Sequence, residues 1–106
     1  VHPNGFCQRL CDGMVRARFR EGMHKEVLME PGKVYRFEID LWNTAQVFKR
    51  GHRIRLEIAS SAFPKYDRNL NTGEPLATST RMVVAENRVW HTPAWPSHLV
   101  LPIIPT

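Results

Sequence analysis

Charged and aliphatic residues alternate without a break along Arg53-Ile54-Arg55-Leu56-Glu57-Ile58. Period two puts Ile54, Leu56 and Ile58 on one face, the signature of a half-buried strand in a sheet with one wet side. Val34–Trp42 carries the same pattern: Tyr35, Phe37, Ile39 and Leu41 on one face, Arg36, Glu38 and Asp40 on the other. The Lys49-Arg50-Gly51-His52 turn introduces the 53–60 strand, so the two strands are expected to be adjacent and antiparallel, a centre for one sheet. Met14–Phe19 also alternates, and residues 81–90 and 99–104 complete the strand candidates, with Pro102 placing the last at an edge or strand end.

Turn signals separate these segments. Asn4-Gly5 and Asp12-Gly13 read as hairpin turns flanking a short strand, the second equally as a bulge within a longer one. Pro31-Gly32 predicts a type II turn in an otherwise aperiodic surface connection from Glu21 to Lys33. Thr92-Pro93-Ala94-Trp95-Pro96 is a proline-rich corner. Short strands, eight prolines and no helical period predict an all-β fold, a sandwich or a jelly roll. About six short strands make a thin sandwich, so the expectation is one domain over residues 1–106 with part of the sandwich missing from the chain.

A chain of 106 residues buries only ~65% of its unfolded surface. No apolar run reaches the ~18 residues of a membrane span, and the start has no signal-peptide pattern. Fifteen basic and ten acidic side chains give +5. Much of that excess lies on strand candidates, at Arg16, Arg18, Arg20, Arg53 and Arg55, and no nucleic-acid motif accompanies it. It is read as the wet face of an amphipathic sheet rather than a nucleic-acid surface. Cys7 and Cys11, four apart on a strand, have Cα atoms about 13 Å apart at ~3.3 Å per residue. A disulfide needs less than ~7 Å. Both are expected to be buried thiols of a reduced, cytoplasmic protein, and no zinc-ligand spacing accompanies them.

Catalytic chemistry is hard to place here. Ser60, Ser61, Ser79 and Ser97 lack the G-x-S-x-G context of a nucleophile elbow, and His2, His24, His52, His91 and His98 are scattered. Asp40 and Glu57 read as solvent-face residues, and no glycine-rich phosphate loop is present. No catalytic residue, metal ligand or cofactor is therefore assigned. Trp42, Trp90 and Trp95 are read as plugs at the ends of a sandwich, the competing reading being a stacking platform for a sugar.

Five segments occur together, in order, in one family. They are Leu10-Cys11-Asp12-Gly13-Met14-Val15-Arg16-Ala17-Arg18-Phe19-Arg20; Pro31-Gly32 with Tyr35 and Ile39-Asp40-Leu41; Val47-Phe48-Lys49-Arg50-Gly51-His52-Arg53-Ile54-Arg55; Phe63-Pro64-Lys65-Tyr66-Asp67-Arg68-Asn69 with Asn71-Thr72-Gly73; and Glu86-Asn87-Arg88-Val89-Trp90-His91 through Leu101-Pro102-Ile103-Ile104-Pro105. The chain resembles the C-terminal jelly-roll (galactose-binding-like) domain of the CocE/NonD hydrolases, which include cocaine esterases, α-amino-acid ester hydrolases and X-prolyl dipeptidyl-peptidases. That resemblance implies a hydrolase whose serine, histidine and aspartate lie in an upstream α/β-hydrolase domain of the same parent chain, with none of the triad here. It also implies that the first strands of the jelly roll precede Val1. The expected role is to brace the catalytic domain and help wall its cleft, with room for a homo-oligomer of the parent and no nucleic-acid or membrane partner. Phe63, Pro64, Asp67, Arg68, Asn69, Asn71 and Gly73 are the docking candidates, set against a loop that merely caps the sandwich. The alternative function is an independent jelly-roll carbohydrate-binding module.

Overall fold

The computed structural model describes residues 1–105, in two units, Val1–Arg55 and Leu56–Thr106. Regular structure among these residues is sparse: a 3₁₀ turn at Ala17–Phe19 and two short strands, β1 (His91–Thr92) and β2 (Trp95–Pro96), paired antiparallel. There is almost no helix and the one sheet is antiparallel, in keeping with an all-β chain. Among the described residues no helix is long and apolar enough to cross a membrane.

Glycine sets the bends of the first unit. The His2 carbonyl accepts from the Gly5 N–H at 2.9 Å, and the His2 N–H donates to the Phe6 carbonyl at 2.9 Å. Gly5, at φ +88°, closes this three-residue connection in the left-handed region. Glu30-Pro31-Gly32-Lys33 closes with Gly32 at φ +79° and the Lys33 N–H on the Glu30 carbonyl, the type II arrangement that Pro31-Gly32 predicts. Lys49–His52 repeats it, with Gly51 at φ +84° and the His52 N–H 3.0 Å from the Lys49 carbonyl.

Asp12-Gly13 behaves differently. No turn forms there, and Gly13 instead lies beneath the Asp40 carbonyl, whose oxygen is 2.0 Å from where a Cβ would stand. The glycine is needed for close approach of two main-chain segments, not for a bend.

The expected strand 14–19 is broken by the 3₁₀ turn, held by the Phe19 N–H on the Arg16 carbonyl at 2.9 Å. The reason lies in Arg20. Its guanidinium donates to the Ala17 carbonyl at 3.0 Å and to the Val27 carbonyl, faces Glu21 at 3.4 Å, and stacks on the Tyr35 ring at 4.6 Å. One side chain thereby gathers 17–27 into a knot that hydrophobic alternation does not encode. Arg18 and Arg20 keep only 12% and 11% side-chain exposure, which corrects their placement on a wet sheet face.

The expected strands 34–42, 53–60, 81–90 and 99–104 form no regular strand among the described residues, although Arg53 exchanges one pair of main-chain bonds with Val1. Tyr35, Phe37 and Leu41 are half-buried opposite exposed Arg36, Glu38 and Asp40, so the alternation is visible in the first of them. Ile54, Leu56 and Ile58 are exposed, at 54%, 48% and 56%. Among the described residues no hydrophobic side chain is buried. Alternation marks a face able to be covered; it does not supply the cover. Cys7 is exposed and Cys11 half-buried, both as free thiols, so neither is the buried thiol expected.

In the second unit the proline-rich corner is a tight hairpin. His91 pairs with Pro96 and Thr92 with Trp95 across Pro93-Ala94. The Thr92 hydroxyl accepts from the Trp95 N–H at 3.3 Å, and the Ser97 N–H reaches the Trp90 carbonyl at 3.3 Å. Pro96 has no N–H to give a ladder, which limits the pairing to a short stretch.

A candidate docking loop

The Phe63–Gly73 loop divides into an outer and an inner arc. In the outer arc the N–H groups of Lys65 and Tyr66 both donate to the Ala62 carbonyl, at 2.9 and 3.3 Å, and the Phe63 N–H donates to the Ser61 hydroxyl at 3.4 Å. The Phe63–Pro64 peptide is cis. Phe63 stays 63% exposed, with the Arg68 guanidinium 5.4 Å from its ring, and Pro64 and Asp67 are exposed beside it. An aromatic face capped by a cation is a compact, partly desolvated contact element.

The inner arc is spent on the loop itself. The Asn69 carboxamide oxygen accepts from the Asn71 N–H at 3.1 Å, placing Asn71 at φ 58°. The Asn71 side-chain amide then donates to the Val83 carbonyl at 3.0 Å, while the Val83 N–H donates to the Leu70 carbonyl at 3.0 Å. Gly73 turns the chain at φ +73°, and the Thr72 hydroxyl accepts from the Glu74 N–H. Asn tolerates the left-handed conformation because its short side chain bonds locally. Of the seven candidates, Phe63, Pro64, Asp67 and Arg68 lie on the outward arc, whereas Asn69, Asn71 and Gly73 shape the loop.

Glu74, which sequence reasoning missed, fastens the loop's far end. Arg81 donates to its Oε1 through Nε at 3.1 Å and Nη2 at 2.6 Å, and the Ser79 hydroxyl donates to Oε2. Those bonds, first the Ser79 hydroxyl and then Arg81, hold its carboxyl below the usual carboxylate range. The available signal was an acid seven residues before an arginine, too common a spacing to read.

Several of the remaining chemistry-bearing groups have local partners. Ser60 accepts from the Asn87 side-chain amide at 3.0 Å, Ser61 from the Phe63 N–H, and His98 Nδ1 lies 2.7 Å from the Pro96 carbonyl. No group of three or more His, Cys, Asp or Glu side chains among the described residues is placed to hold a metal ion. Trp42 is 78% exposed, and the rings of Trp90 and Trp95 are 5.3 Å apart and tilted by 51°.

Comparison with known proteins decides what kind of domain carries this loop. The family of the X-Pro dipeptidyl-peptidase C-terminal non-catalytic domain matches residues 1–100. The chain belongs to this family. It is also 48% identical over 106 residues to cocaine esterase from Rhodococcus sp. (strain MB1 Bresler), covering 98% of this chain and 18% of that protein. No solved structure matches the chain significantly. The chain is thus a non-catalytic C-terminal domain of the CocE/NonD hydrolase type, as the five motifs indicate. It spans about a fifth of the length of the curated relative it matches.

Proposed function

We propose that this chain is the accessory jelly-roll β-sandwich of a serine hydrolase cleaving esters or amides, with α-amino-acyl or Xaa-Pro substrates. It braces the α/β-hydrolase catalytic domain of the same parent and helps wall the active-site cleft, restricting which acyl groups enter. One observation carries this reading: in a domain whose family is non-catalytic, no apolar side chain among the described residues is buried and whole rows, such as Ile54, Leu56 and Ile58, lie open. Rows with strict alternation are built to be covered, and large uncovered apolar surface is the mark of an interface. The catalytic domain supplies that cover, and the Phe63–Arg68 arc is the seat of docking. The sugar-binding alternative loses ground at Trp90 and Trp95, because rings tilted by 51° form no flat platform for a pyranose face.

The test is Phe63→Ala combined with Arg68→Ala in the full-length protein. Docking requires a melting temperature lower by several degrees, since one desolvated aromatic contact contributes about 1–3 kcal/mol. If the arc also walls the cleft, KM for bulky acyl esters changes more than kcat. An unaltered melt together with unaltered hydrogen exchange across 61–73 would remove the arc from the interface.

A further inference from the structure

Two histidines far apart in sequence meet where the first unit closes on itself. The Val1 nitrogen donates to the Arg53 carbonyl at 2.6 Å, and the Arg53 N–H donates back to the Val1 carbonyl at 2.9 Å. That double exchange is the hydrogen-bonded pair of an antiparallel ladder. Stepping one residue along each segment places His2 directly opposite His52, in the non-hydrogen-bonded position where side chains are closest. Their main-chain N–H groups are accordingly used elsewhere, on Phe6 and Lys49. The imidazole centroids are 4.5 Å apart with the rings tilted by 52°.

His2 has Phe6 against it at 5.4 Å and its Nε2 is 3.0 Å from the Gln8 carboxamide oxygen. On the other side, Lys49 bears on His52, and Pro3 lies 3.7 Å from where a Cβ of Gly51 would stand. We propose that the His2–His52 pair is a pH-sensitive latch, which holds segments 1–2 and 52–53 together while His52 is neutral and loosens when it gains charge. Like charges directly opposite in a sheet are destabilising, and here a lysine adds to them. Partial burial first, then the charges of His2 and Lys49, hold His52 below the ordinary imidazole value. A depressed imidazole means that the open form binds protons more readily than the closed one. The latch is therefore at full strength above the ordinary histidine pKa of about 6.5, and weakens as the pH falls from there through the lowered value.

The experiment is hydrogen exchange on the full-length protein between pH 8 and pH 5, with protection factors corrected for intrinsic rates, read at the Arg53 amide. Protection is expected to fall about two- to fivefold over that range, the size of one cross-strand pair. In His52→Gln the fall disappears. In His2→Gln, histidine NMR shows His52 titrating closer to the ordinary value. Protection that is flat with pH in the wild-type protein, or a fall that survives in His52→Gln, overturns the latch.

Discussion

Gly13 shows how one residue can be needed for a reason its sequence context misstates. Asp12-Gly13 looks like a turn, yet the glycine is there because the Asp40 carbonyl occupies the volume of a methyl group. Gly13→Ala therefore forces main chain, not a flexible side-chain tip, to move. Overpacking of this kind costs about 1–3 kcal/mol, and thermal melts of the full-length variant should show it. A melt indistinguishable from wild type would mean that the 13–40 approach is not maintained. Trp42 is a second such case. Its φ of 62° is rare for a bulky residue and is held by its own N–H on the Asp40 carboxylate at 2.7 Å. Asp40, which the alternation assigns to solvent, thus works through both its carbonyl and its carboxylate.

At the level of elements, turns organise this chain more than strands do. Three of them, at 2–6, 30–33 and 49–52, have glycine where a positive φ is required, and all three are visible in the residue order. The loop from 63 to 74 is closed by charge instead. Glu74 holds Arg81 and Ser79 only when ionised, and its depressed carboxyl pKa fixes the sign. Closure is present above the usual carboxylate range and is lost as the pH falls through the lowered value. Glu74→Gln should leave segment 69–83 with reduced exchange protection at neutral pH and no further loss on acidification. Loss of protection at the same low pH in both proteins would assign closure to another group. Glu30 is lowered in the same sense by Lys33, its hydrogen-bonded partner at 2.9 Å, across the 30–33 turn.

For the whole molecule, the open apolar surface has a direct consequence. Val84, Ile103 and Ile104 are 86–100% exposed, and the 54–58 row is about half exposed. Separated from a covering domain, such faces pair with copies of themselves, because unpaired alternating segments offer both backbone groups and apolar side chains. The 106-residue chain prepared alone should therefore self-associate in light scattering and melt without a sharp transition. A monodisperse monomer with a cooperative melt would contradict the bracing role, since it would show a core that the chain completes unaided.

The residue order alone determined the family, through five motifs in one order, and the absence of any helical period. It also determined the three glycine turns, whose signals are local and whose φ requirement only glycine meets cheaply. Only the folded chain decided what lies between distant positions: Arg20 on the carbonyls of Ala17 and Val27, Gly13 under Asp40, Glu74 with Arg81, and His2 opposite His52. It decided, too, that the alternating rows stay uncovered. Periodicity reports which face of a segment is apolar, because side-chain direction follows from backbone geometry within a few residues. Which atoms meet that face depends on how remote segments are brought together, and that is a property of no single stretch of chain.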